Sequence, residues 1–158
     1  MRRLLPAILT PSLALLACLT LASAAATYND TVTGSQSASR LNEGFSLNLN
    51  ATGDLPGILT LSLKHEGGKV NGGSWTLTVL PPDADATSNE RGKLAGSFTG
   101  GALTLDENGI VTAADSVQLT VQRGTGQFAG VSGGGATLSL APNQRNPTKL
   151  GGPLVFNF

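Results

Sequence analysis

Charge of either sign, cysteine, histidine and aromatic rings are all scarce in this sequence, and each scarcity removes a class of function. Cys18 is the single cysteine, so one chain cannot carry a disulfide framework. Ten basic residues balance ten acidic ones, and only 13% of the chain is charged. A nucleic-acid partner needs a basic surplus that is missing here. His65 is the only histidine, which leaves a histidine-based metal site without a second imidazole. Aromatic residues make up 4% of the chain, too few for the two girdles of a lipid-embedded barrel. Low charge combined with 40% apolar residues argues against a disordered chain.

What is present begins with an export pattern. Arg2 and Arg3 precede an apolar run over residues 4–21, and Ala22-Ser23-Ala24 has the small-residue layout of a cleavage site. This predicts a signal peptide over residues 1–24, removed on export to the periplasm or beyond. Pro6 and Pro11 weaken the same run as a membrane-spanning helix. Leu15-Leu16-Ala17-Cys18 loosely resembles a lipobox, which makes lipid anchoring at Cys18 the alternative, although Leu19-Thr20-Leu21 continues the apolar run past it. Residues 25–158 then form one domain, long enough to bury a core without staples.

That domain alternates with period 2, and no stretch sustains a helical period. Phe45, Leu47 and Leu49 interleave with Ser46, Asn48 and Asn50. Leu59, Leu61, Leu63 and His65 interleave with Thr60, Ser62 and Lys64. Trp75, Leu77 and Val79 form a third series, and Val117, Leu119 and Val121 a fourth. Leu138 with Leu140, and Leu154 with Phe156 and Phe158, add two more; Leu94 with Phe98, and Leu103 with Leu105, are weaker. The Gly pairs at 67–68, 72–73, 100–101 and 151–152 read as breaks between strands, and Asn108-Gly109 as a hairpin turn. Residues 81–91 and 142–149 read as loops. The unit Gly-x-x-Thr-Leu recurs from Gly57, Gly73, Gly101 and Gly134 at uneven spacing, so it is hairpin grammar rather than a solenoid repeat. One apolar and one Ser/Thr/Asn face per strand predicts a closed or nearly closed antiparallel β-barrel of about eight strands.

Gly124-Thr125-Gly126-Gln127-Phe128-Ala129-Gly130-Val131-Ser132-Gly133 resembles the GTG-x-F-x-G-x-x-G signature of plant allene oxide cyclases and dirigent proteins, which recurs in small secreted bacterial proteins. The resemblance spans about ten residues and implies an eight-stranded antiparallel barrel with an apolar interior. Those families place polar working groups inside the barrel, and none of them matches a residue here one to one. The segment lacks the lysine and the βαβ setting of a phosphate loop.

The expected large interior residues are Phe45, Trp75, Phe98 and Phe128, with His65 facing inward at a strand end; together they form the candidate ligand-binding set. Asp83, Asp85, Thr87, Asn89 and Glu90 imitate the start of a calcium loop, but the glycine and the final glutamate are missing, so they read as a solvated acidic loop. No G-x-S-x-G elbow accompanies the many serines. No catalytic residue, metal ligand or cofactor is assigned. The expected function is an exported, non-catalytic barrel that binds a small apolar ligand or serves a structural or interaction role in the cell envelope. The alternatives are an isomerase or cyclase that holds an apolar substrate inside the barrel, and a small outer-membrane barrel, which the terminal Leu154, Phe156 and Phe158 imitate.

Overall fold

The computed structural model describes residues 25–36, 45–66, 69–82, 90–100 and 103–158. The predicted signal peptide with Cys18, the Gly67-Gly68 turn and most of the acidic loop, residues 83–89, lie outside the described residues. Nine strands occur among those residues: β1 (Thr27–Ser35), β2 (Phe45–Gly53), β3 (Gly57–Glu66), β4 (Lys69–Val79), β5 (Gly92–Thr99), β6 (Leu103–Leu105), β7 (Val111–Gly124), β8 (Gly135–Asn143) and β9 (Asn146–Asn157). A single 3-10 turn, Gly126–Phe128, follows β7.

Every pairing is antiparallel, and β1 bonds to both β2 and β9, which closes the sheet into a barrel. Eight strands make the ring in the order β1-β2-β3-β4-β5-β7-β8-β9. The ninth, β6, is a continuation of β5. Phe98 lies opposite Leu119, and five residues on, Leu103 lies opposite Ala114, so the register against β7 runs on unchanged. The weak pattern at Leu103 and Leu105 is therefore the far half of one interrupted strand. Among the described residues each of the eight ring strands is therefore paired on both sides.

The predicted alternation is what positions the core. Leu47, Leu49, Leu59, Leu61, Leu77 and Leu119 are buried in one continuous cluster, while Ser46, Asn48, Asn50, Ser62 and Thr120 face out. Each fully buried leucine contributes roughly 1.5–3 kcal/mol over its exposed state. Ile58 is the one large apolar side chain left exposed among the described residues.

The structure differs from the sequence expectation at four places. Strand β1 had no apolar alternation to announce it, because its inward series is Tyr28, Asp30, Val32 and Gly34, continued past its end by Gln36. Gly72-Gly73 lies inside β4 and Gly151-Gly152 inside β9, rather than between strands. Their role is close approach: a Cβ at Gly73 would lie 2.0 Å from the Ser62 carbonyl oxygen, and one at Gly152 2.0 Å from that of Ser139. Residues 142–149 are a tight hairpin, with Pro142 and Asn143 ending β8 and Asn146 beginning β9. Asn143 Oδ1 accepts from the backbone N–H groups of Arg145 and Asn146 and so closes that turn. Finally, the buried residues of β7 begin at three-residue steps, Val111, Ala114 and Val117. Register shifts against β6 and β8 insert one extra residue per step, and Ser116 takes a left-handed φ of 52° at the second of them.

The Asn-Gly turn forms as expected. Asp106 Oδ1 accepts from Asn108 and Ile110 N–H at 2.8 and 2.9 Å, and Gly109 takes φ 74°.

Candidate functional site

The five candidate ligand residues are strung along the barrel rather than gathered in one site. Phe45 opens β2 opposite Leu63, at the end of the barrel where His65 sits half-buried opposite Val70. Trp75 and Phe98 occupy the middle, and Phe128 lies beyond the end of β7 at the opposite mouth.

The middle is filled by side chains. Trp75 is 1% exposed, and its ring centroid stands 5.9 Å from that of Phe156. The Trp75 indole N–H donates to the Thr120 carbonyl at 3.2 Å, which satisfies its one polar atom in an apolar setting. Phe98 faces Gly73, where an added Cβ would come within 3.0 Å of the ring. Gly73 opposite Phe98 and Gly96 opposite Trp75 make room for the two rings, which pack closely against the neighbouring strands.

From Trp75 the aromatic contacts run toward one mouth. Phe156 is 6.0 Å from Phe158, edge to face; Phe158 stacks on Tyr28 at 5.1 Å and meets Phe128 edge-on at 6.4 Å. Phe128 is buried, whereas Tyr28 and Phe158 are half-exposed. An open hollow of about 820 Å³ lies against them, lined by Tyr28, Phe158, Phe128, Gln127 and Val131 together with the glycine-rich loop.

That loop is held firmly at its base. Thr125 N–H donates to the Lys93 carbonyl at 2.8 Å, Gln127 N–H to Arg91 at 2.9 Å, and the Arg91 Nε–H to Gln127 Oε1 at 2.8 Å. Gly133 N–H returns to Val121 at 3.1 Å. Gly126 takes φ 60°, with Arg91 O only 2.5 Å from a would-be Cβ, so a side chain is excluded there. Gly130 and Gly133 also have positive φ, but open space surrounds them.

Two inward polar residues, Asp30 on β1 and Gln36 just past its end, are not announced by the sequence pattern. Asp30 is 5% exposed; its Oδ1 accepts from Leu55 N–H at 2.8 Å, and its Oδ2 is buried without a hydrogen-bond partner. Burial raises the Asp30 pKa above the ordinary carboxylate value; the Leu55 N–H opposes the shift and the neighbouring Asp54 carboxylate adds to it. Gln36 closes the other end. Its Oε1 accepts from Val111 N–H at 2.8 Å, and its Nε2 donates to the carbonyls of Val111 at 3.0 Å and Pro147 at 3.1 Å. The side-chain amide thus pairs with Val111 as a strand residue would. The outward series Thr27, Asn29, Thr31, Thr33 and Ser35 was the signal that could have disclosed this strand.

Among the described residues no group of three or more His, Cys, Asp and Glu side chains could hold a metal ion. Comparison with protein-family models, with curated proteins and with solved structures returned no match. The chain's class is therefore defined by its own geometry: a closed, eight-stranded antiparallel β-barrel with one extra short strand.

Proposed function

We propose that this chain is an exported, non-catalytic β-barrel that binds a small apolar, ring-bearing molecule at its aromatic mouth. The observation that carries this reading is the half-exposed Tyr28–Phe158 stack facing an open hollow, while Trp75 and Phe156 fill the barrel behind it. Flat rings offer apolar area to a ligand at little cost in side-chain entropy. This reading sets the site at the rim rather than in the interior expected from sequence, and Phe128 of the five candidates lines it. Export rests on Arg2, Arg3 and the Ala22-Ser23-Ala24 pattern. Kinship with the allene oxide cyclase and dirigent barrels remains part of the proposal, supported by the signature at 124–133. The outward Ser, Thr and Asn positions favour a water-facing barrel over one embedded in lipid.

Native mass spectrometry of the protein purified from its own host tests this, paired with titration of the neutral two-ring probe N-phenylnaphthylamine. A retained small molecule and saturable probe binding, weakened at least about tenfold in Tyr28→Ala and Phe158→Ala, are expected. Protein free of any small molecule, with probe binding indifferent to both substitutions, would overturn the reading.

A further inference from the structure

The outer wall of the barrel carries a second feature, independent of the aromatic mouth. Strand β7 points Val117, Leu119 and Val121 inward, so a regular strand would turn Arg123 inward too. It does not. The register against β5 shifts between Ala95 and Gly96: Val121 lies opposite Gly96, and Arg123 opposite Ala95, which leaves Gln122 as the extra residue. This bulge re-aims Arg123 to the outside, where it is exposed.

The new direction brings Arg123 to the wall that holds Lys93. Ala95 sits between Arg123 on one side and Thr76 on the other, and Lys93 is the next outward residue along β5. The small Ala95 side chain leaves a hollow of about 400 Å³, lined by Thr76, Lys93, Ala95, Arg123 and Thr125. Its polar lining donates. The Arg123 guanidinium makes no hydrogen bond or ion pair among the described residues, and neither does the Thr76 hydroxyl. Thr125 Oγ1 accepts from Lys93 N–H at 3.2 Å, which leaves its own hydroxyl proton to give. The carboxylate at hand among the described residues is Glu90, 3.0 Å from Lys93 Nζ, with both side chains nearly half exposed. Such exposed pairs exchange readily for another anion.

We propose that this hollow binds a phosphate-type oxyanion, clamped between Arg123 and Lys93 with the hydroxyls of Thr76 and Thr125 as further donors. Arg supplies the planar fork and Lys the point charge that together suit tetrahedral oxyanions. Two cations on an open wall set the affinity at about millimolar for the free ion.

Titration of the full chain with inorganic phosphate, followed by amide NMR shifts, tests this. Saturable shifts at Lys93, Ala95, Arg123 and Thr125 are expected. Arg123→Gln should weaken binding about tenfold, and Glu90→Gln, which removes the competing anion, should tighten it about twofold to fivefold. Because the Arg123 side chain is exposed and unbonded among the described residues, its substitution should leave the melting temperature unchanged. A second arm separates the sources of the anion: Arg123-dependent binding to vesicles of phosphatidylglycerol but not phosphatidylcholine identifies a lipid headgroup, and phosphate binding without vesicle binding identifies a soluble oxyanion. Non-saturating shifts, shifts spread equally to Arg145 and Lys149, or an affinity unchanged by Arg123→Gln would overturn the proposal.

Discussion

Trp75 lies directly across from Gly96 on the neighbouring strand, with its indole nitrogen 3.0 Å from where a Gly96 Cβ would stand. The same would-be Cβ lies 1.7 Å from the Thr120 carbonyl oxygen, the acceptor of the indole N–H. One glycine therefore admits both the ring and the strand behind it. Gly96→Ala should destabilise the barrel by about 3 kcal/mol through overpacking. Trp75→Phe should cost about 2 kcal/mol through a small cavity and a lost donor. Urea denaturation at neutral pH measures both, and the Gly96 loss should exceed the Trp75 loss.

The register shift of β7 against β8 leads to a stabilising substitution. Ser116 holds φ 52°, while its N–H donates to Ser139 Oγ at 3.2 Å. A backbone donor survives the change to glycine, and left-handed strain disappears. Ser116→Gly should raise stability by about 1 kcal/mol, and Ser116→Val should lower it, since a branched side chain tolerates that region poorly. Paired thermal melts of the two variants check the opposite signs.

Gln36 makes three buried or partly buried hydrogen bonds at the end of β1. Gln36→Leu should destabilise by roughly 2–4 kcal/mol, because Val111 N–H and its carbonyl lose their partner. Gln36→Glu keeps the acceptor but sets a carboxylate against two carbonyl oxygens. Its folded-state pKa is thereby raised, so the penalty is absent below the ordinary glutamate range and grows as the pH rises. Melting temperatures recorded across the pH range should fall more steeply with rising pH in Gln36→Glu than in the native protein or in Gln36→Leu.

Asp30 imposes a pH dependence on the native chain. Its raised pKa means that, between the ordinary aspartate value and the raised one, the folded state holds a proton which the unfolded chain has released. The stability it contributes is fully present below the ordinary aspartate pKa and is lost as pH rises through the raised value. Asp30→Asn keeps an oxygen for Leu55 N–H but cannot ionise. Relative to the native protein, Asp30→Asn should be more stable near neutral pH than at about pH 3.5. A difference in melting temperature that does not change with pH would contradict this account.

The apolar alternations at Leu47–Leu49, Leu59–Leu63, Leu77–Val79 and Leu138–Leu140 determined the class of fold by themselves. Period 2 assigns each side chain to a face, and an apolar face of that width must be covered, which one barrel achieves. Phe128 was also legible as a large interior residue, and it is buried. Strand β1 was not, since its inward Asp30 and Gln36 are tolerable only where Leu55, Val111 and Pro147 bring backbone partners to them from distant segments. Nor could the sequence show that Gly73, Gly96 and Gly152 lie inside strands, because what they make room for belongs to neighbouring strands. The mouth site and the Arg123 hollow share that dependence. Tyr28 meets Phe158 only because β1 and β9 close the ring, and Arg123 faces outward only because one extra residue on β7 breaks the alternation that local pattern alone would have continued. Facing and period are properties of a single strand; closure, register and bulges are relations between strands, and those relations decide where the hollows of the surface fall.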